Sequence, residues 1–349
     1  MEQFTYRTHA VKVIFGKRIL EAIQEELPEK VVNIAVLASS RNNFLVESIT
    51  DLSGVGEVFH FNRITQHVPQ SLIDEAFEFL KGKSVDILLC IGGGSSIGLG
   101  KGLALTSDAE LWAVPTTYSG SEMTNIYGIS KDGVKEVRRD DRVHPKKVFY
   151  DPFLSLSMPL DLSIPSAFNA MAHLVEALYA QESNPIVHQL SVMGIQTLTD
   201  GLTKLSETGK MDVTINEKLL FGAYLGGKVL CEVSMGLHHK AAHVLGGNFN
   251  LDHARVHTLL LPYVLAYQWD FLKDELKNEY SSIFNSELPF KMLRELQENL
   301  HVGFNLKELG MERKDLSKAV DYLMGMKYPN PAPMDRRKLL EMLDSAYGV

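Results

Sequence analysis

Five of the twelve histidines in this 349-residue chain fall between positions 238 and 257, in the stretch from Gly236 to His257. Packing alone does not call for such density. His239 and His243 are four residues apart, which on a helix puts both rings on one face, and Gly246-Gly247 are expected to end that helix before His253 returns. Upstream, Phe168-Asn169-Ala170-Met171-Ala172-His173 sets Asn169 and His173 in the same i, i+4 relation. Asn169, His173, His239 and His253 therefore look like the four ligand positions of a metal site whose first position has been altered. His238 and His257 read as supporting or structural groups beside that set, and His9, His60, His188 and His301 as ordinary core or surface histidines.

A different chemistry is suggested where Leu88-Leu89-Cys90-Ile91 runs into Gly92-Gly93-Gly94-Ser95-Ser96-Ile97-Gly98-Leu99-Gly100-Lys101. Glycines leaving a buried strand and opening a helix let the backbone approach a phosphate, and the helix N-terminus offers it free N–H groups and a positive dipole end. Gly92, Gly93, Gly94, Ser95 and Ser96 are the expected pyrophosphate cradle. The pattern is neither the G-x-G-x-x-G fingerprint nor a P-loop. After a strand at 111–114 comes Pro115-Thr116-Thr117-Tyr118-Ser119-Gly120-Ser121-Glu122-Met123-Thr124, a hydroxyl-rich turn at the end of a parallel strand, where ligands of open α/β sheets bind. Thr116, Thr117 and Ser119 are expected to hold the second phosphate and a ribose.

Two kinds of element must position these groups. Short β-branched runs at Val31–Ala38, Val55–Phe61, Val85–Ile91, Leu111–Val114 and Val148–Tyr150 alternate with helical patterns such as Ser71–Lys81, the signature of a parallel, doubly wound sheet. The glycine loop then follows the third strand. After Asp151-Pro152 the β-rich runs stop, and amphipathic segments follow near 165–181, 187–206, 216–235, 237–247, 254–271, 287–300, 314–324 and 335–345. Pro145, Pro152, Pro159 and Pro165 punctuate the change. The expectation is a Rossmann-like dinucleotide-binding α/β domain over 1–157 and an all-helical catalytic domain over 158–349, with a small-molecule cleft between them.

Composition narrows the partners. A net charge of −8 argues against nucleic acid, and two cysteines provide neither a disulfide framework nor a C-x-x-C metal site. No apolar run is long enough to cross a bilayer and no signal-peptide pattern opens the chain, so a cytoplasmic protein is expected. Against the acidic whole, Lys131 to Lys147 carries seven basic residues and four acidic ones. That local excess of cations suits an anionic small molecule.

These segments resemble the iron-containing (group III) alcohol dehydrogenase family and, within it, the maleylacetate reductases. The likeness runs over nearly the whole chain: Val13-Ile14-Phe15-Gly16, His67-Val68-Pro69, Gly92–Lys101, Pro115–Thr124, Asn169–Ala180 and Leu237–Pro262. The resemblance implies an α/β dinucleotide domain followed by a helical domain, a homodimer, and NADH- or NADPH-dependent reduction of the carbon–carbon double bond of maleylacetate to 3-oxoadipate in aromatic-compound breakdown. The alternative within the family is a metal-dependent alcohol dehydrogenase acting on a small carbonyl compound. An inactive nucleotide-binding homologue is disfavoured, because both the glycine loop and the histidines are intact.

General members carry Asp where Asn169 stands, and an amide supplies only a neutral oxygen to a cation. The expectation is therefore no bound metal, with histidines carrying positive charge instead. His243 and His173 would stabilise the enolate or deliver the proton, with His239 and His253 completing the pocket. For the dianionic oxo-acid substrate, Arg139, which matches the family's arginine, is the carboxylate clamp and Lys240 the second. Ser39 begins Ser39-Ser40-Arg41-Asn42-Asn43 after the first of these strands, with no acid to hold an adenosine ribose or exclude a 2′-phosphate, so either dinucleotide is admitted. Asp252, Tyr263 and Glu136-Val137 depart from the reductase pattern and bear on the exact substrate.

Overall fold

A run such as Ile87–Gly92, apolar at every position, satisfies its side chains only in a strand covered on both faces, and its six residues are all buried. The computed structural model describes residues 3–65, 68–131 and 134–348; His67 and Asp132 lie outside the described residues, as do the side chains of Lys131 and Lys135. The chain divides into two compact units, Arg7–Met158 and Pro159–Val349, the second of which includes the first six residues. Tyr6 is held there by its hydroxyl, which donates to Glu232 Oε1 (2.8 Å).

The first unit contains β1 (Lys12–Phe15), α1 (Ile19–Glu26), β2 (Val32–Ala38), α2 (Asn43–Thr50), β3 (Val55–Phe61), α3 (Gln70–Leu80), β4 (Ile87–Gly92), α4 (Gly94–Ala104), β5 (Glu110–Pro115), β6 (Ile126–Lys131), β7 (Val134–Arg139), β8 (Lys147–Tyr150) and α5 (Pro152–Ser155). Six strands form a parallel sheet in the order β1-β8-β5-β4-β2-β3. Val32, Ile34, Val36, Ile87, Leu89 and Ile91 face α1 and α2 in one core. The opposite face meets α4, where a Cβ on Gly100 would collide with Cys90 and Leu111. From β2 the chain moves outward to β3, whereas from β4 it moves the other way to β5, so the topological switch lies between β2 and β4.

Three strands differ from expectation. β1 is a four-residue edge strand paired with β8, and it makes the glycine loop follow the fourth strand instead of the third. β6 and β7 pair antiparallel, β7 lying in the basic segment, where its charged residues interrupt the alternation.

The second unit is helical: α6 (Leu160–Tyr179), α7 (Pro185–Thr208), α8 (Val213–Glu232), α9 (Leu237–Asn248), α10 (His253–Trp269), α11 (Asp274–Ile283), α12 (Pro289–Asn299), α13 (Leu316–Met324) and α14 (Arg336–Tyr347). Local chemistry starts several of them. Asn184 accepts from the N–H groups of Ile186 and Val187 with Pro185 in the first turn of α7, and Asp252 accepts from Arg255 N to begin α10 at His253. Pro165 does not mark the boundary but lies inside α6, at its sixth residue. α11 lacks a counterpart among the expected segments; its polar surface buries only Tyr280 and Ile283. None of the described helices is long and apolar enough to cross a membrane.

Candidate active site

In the α/β unit, the carboxyl ends of β2, β4 and β5 are neighbours, with Ala38 paired to Ile91 and Gly92 to Pro115. The predicted nucleotide residues therefore meet at the switch point. Gly92 has φ +150°, and a Cβ there would strike the Ser96 hydroxyl. A Cβ on Gly93 would lie 3.0 Å from Thr117, and one on Gly94 3.7 Å from Ser119 Oγ. Thr116 N–H donates to the Gly92 carbonyl (3.0 Å), tying the two loops together. Gly93 caps α4 without a side-chain hydrogen bond, so the first N–H groups of an 11-residue helix face this cradle. Ser39 precedes a short turn at Ser40–Asn42 at the end of β2.

Two buried groups that the sequence reading gave no role brace the hydroxyl-rich turn. Lys101 is wholly buried, and its ammonium donates to the carbonyls of Ser121 (2.6 Å), Thr124 (2.7 Å) and Ile126 (2.7 Å) and to Thr124 Oγ1 (2.9 Å). Glu122, also wholly buried, accepts from the Tyr150 hydroxyl (2.8 Å). Burial pushes its carboxyl up to about 7, against its own backbone N–H, Tyr150 and the Lys101 charge.

Three of the described cations of the basic segment are engaged in ion pairs. Arg138 pairs with Glu136 (2.6 Å), Arg142 with Asp140 (2.7 Å) and Lys147 with Glu26 (3.0 Å). Arg139 is exposed at the end of β7 and reaches Asn125 Oδ1 (3.3 Å).

In the helical unit, α6 presents Asn169, His173 and Glu176 on one face, at i, i+4 and i+7. α9 and α10 supply the other rings. Ring centroids run without a gap from His173 to His239 (4.8 Å), His239 to His257 (4.7 Å), His257 to His253 (4.5 Å) and His253 to His243 (5.5 Å), with His238 4.9 Å from His257. The four predicted catalytic histidines are thus in one cluster. His173, His238, His239 and His257 are buried, whereas His243 and His253 are exposed and Lys240 is half-buried. Gly246-Gly247 do not end α9, which continues to Asn248; a Cβ on Gly246 would sit 3.4 Å from His253 Nδ1, so this glycine makes room for that ring.

Glu176 organises the cluster. Its carboxylate accepts from the N–H groups of His238 (2.8 Å) and His239 (3.3 Å), capping α9 from another helix, and from His239 Nδ1 (2.5 Å). Burial pushes it up to about 7 although these hydrogen bonds favour the anion. Its signal in sequence was its spacing, three residues beyond His173 on the same face.

The expectation that these rings carry positive charge is not met by the buried ones. Burial, and then neighbouring imidazoles, pull His173 down to about 3, and burial pulls His238 to about 4; His239 and His257 are held well below the ordinary histidine range for the same reasons. These rings offer lone pairs. A cavity of about 960 Å³ elsewhere in the helical unit, lined by Tyr179, His188, Phe271 and Glu279, includes none of the predicted site residues.

A glycine cradle at a sheet switch point and a pocket of neutral imidazoles are the two parts of a dinucleotide-dependent oxidoreductase. Residues 10–152 match the iron-containing alcohol dehydrogenase family and residues 163–347 its C-terminal domain. Maleylacetate reductase of Burkholderia cepacia is 38% identical over 348 residues, covering 99% of this chain and 98% of that protein. The crystal structure of maleylacetate reductase from Agrobacterium tumefaciens superposes with a TM-score of 0.93 at 31% identity, covering 99% of each chain. That of an iron-containing alcohol dehydrogenase from Corynebacterium glutamicum gives 0.92 at 31% identity, over 99% of this chain and 97% of that one. The chain belongs to the iron-containing alcohol dehydrogenase family.

That membership overturns the expectation of a metal-free protein. The donor set agrees with the correction. Asn169 Oδ1, His173 Nδ1, His238 Nδ1, His239 Nε2 and both nitrogens of His257 are buried without a hydrogen-bond partner. Buried polar atoms are ordinarily paired, and this many without a partner, most of them able to offer a lone pair, fit a cation. At position 169 an amide offers a cation a neutral oxygen in place of a carboxylate.

Proposed function

We propose that this enzyme uses NADH or NADPH to reduce the carbon–carbon double bond of maleylacetate, giving 3-oxoadipate. The observation that carries the reading is full-length similarity to maleylacetate reductases, extending through both the glycine loop and the imidazole pocket. Gly92, Gly93, Gly94, Ser95, Ser96, Thr116, Thr117, Ser119 and Ser39 are assigned to the dinucleotide, and Asn169, His173, His239 and His253 to the metal.

When bound, the reduced nicotinamide supplies a hydride and the metal a Lewis acid. The chain's own part is to hold the dianion and manage one proton. Arg139 and Lys240 are assigned to the carboxylates, the guanidinium by a bidentate pair. As the alkene carbon β to the ketone is reduced, negative charge develops on the ketone oxygen, and one proton must then reach the α carbon. His243 is assigned that proton, because it is exposed at the edge of the cluster while His173 is buried and neutral. Glu176 keeps His239 in the tautomer whose Nε2 lone pair is available.

The same reading takes the enzyme as a cytoplasmic homodimer serving aromatic-compound breakdown. It is tested by following NADH and NADPH oxidation with freshly made maleylacetate, in native, chelator-stripped and metal-restored protein. Turnover of maleylacetate that falls on stripping and returns with iron or zinc is expected. Dinucleotide oxidation by small aldehydes with none by maleylacetate would make this an alcohol dehydrogenase instead.

A further inference from the structure

The imidazole pocket contains more donors than the four positions assigned to the metal, and the additional ones are set up as ligands. His238 Nε2 lies 2.9 Å from the carbonyl of His257, which can only accept, so Nε2 carries the proton and Nδ1 keeps its lone pair. His239 Nδ1 donates to the Glu176 carboxylate, which leaves the lone pair on Nε2. Both of those lone-pair nitrogens are buried and unpartnered, and so are both nitrogens of the wholly buried His257. One ring nitrogen from each of His238, His239 and His257 lies within 4.8 Å of the others.

Two lone pairs of fixed tautomer cannot satisfy one another, and a neutral His257 has one N–H to give. A bound cation would take the lone pairs that remain.

We propose that His238, His239 and His257 are ligands of the bound cation, with His257 supplying the strong donor that Asn169 does not. The inference rests on the reading that this pocket holds the family's metal. Such a set selects borderline cations such as Zn(II), Co(II) and Fe(II) over Mg(II), because it is built from imidazoles without an anionic oxygen.

Chelator-stripped protein titrated with Co(II) tests it, read by the visible bands of the bound ion and by competition with a chelator. Loss of an outer-shell partner already costs roughly tenfold in metal affinity. His257→Gln and His238→Gln should each weaken Co(II) binding by at least that factor and change the bands. Wild-type affinity and spectrum in His257→Gln overturn the proposal. Anomalous diffraction at the cobalt edge from wild-type crystals avoids any loss of folding in a variant. A peak about 2.1 Å from nitrogens of His257 and His239 is expected. A peak bonded to Asn169, His173, His239 and His253 but to neither His238 nor His257 overturns the proposal and leaves the metal pocket standing. Failure of the wild-type protein to bind cobalt, zinc or iron overturns both.

Discussion

Raising the pH from 4.5 to 8 should weaken the α/β unit through Glu122, and replacing that residue by glutamine should remove this component. Glu122 is wholly buried, with Oε1 accepting from Tyr150 and Oε2 unpartnered, and burial moves its carboxyl from 4.5 up to about 7. Below pH 4.5 the group is protonated in the folded and unfolded chains alike, and its contribution is present in full. Between 4.5 and about 7 the unfolded chain releases a proton that the folded one keeps, so stability falls by about 1.36 kcal/mol per pH unit. Above 7 both forms are ionised, and the loss levels off at about 3 kcal/mol. Urea unfolding of wild type and Glu122→Gln, followed by fluorescence of the buried Trp112 in the same unit, measures the difference across this range. Titrations elsewhere cancel between the two proteins. The difference in unfolding free energy should shift by about 3 kcal/mol in favour of the variant between pH 4.5 and 8. Parallel curves, within about 0.5 kcal/mol, would refute the reasoning.

Gly92→Ala places a Cβ against Ser96 at a positive φ, a strain of about 1–3 kcal/mol, and should raise KM for NADH by about tenfold or more; an unchanged KM would remove the cradle assignment. Glu176→Gln loses the anion that holds His239, so metal affinity should drop about 10–100-fold by chelator competition; wild-type affinity would show that Glu176 only caps α9. His243→Asn should lower kcat by about 10²–10⁴-fold while metal content stays at the wild-type level, and a parallel loss of metal would move His243 from proton donor to ligand.

Periodicity and spacing alone carried much of this. The strand at Val55–Phe61, the apolar run of β4 and the four-residue spacing of Asn169 and His173 on α6 are local facts, written in i, i+2 and i, i+4 order. β1 escaped although it is no shorter than β8 and Val13-Ile14-Phe15 is apolar, and β7 escaped because its charges mask the alternation, although Asp132-Gly133 before it is a hairpin signal in the sequence. Metal content was misjudged because the amide at 169 was weighed alone. Density of histidines was visible in one dimension, but the nitrogen that each ring turns inward was not. That choice depends on a carboxylate 63 residues before His239 and on a carbonyl 19 residues beyond His238. An imidazole's tautomer is set by whichever acceptor meets its other nitrogen, and only the packing of α6, α9 and α10 brings those acceptors into place.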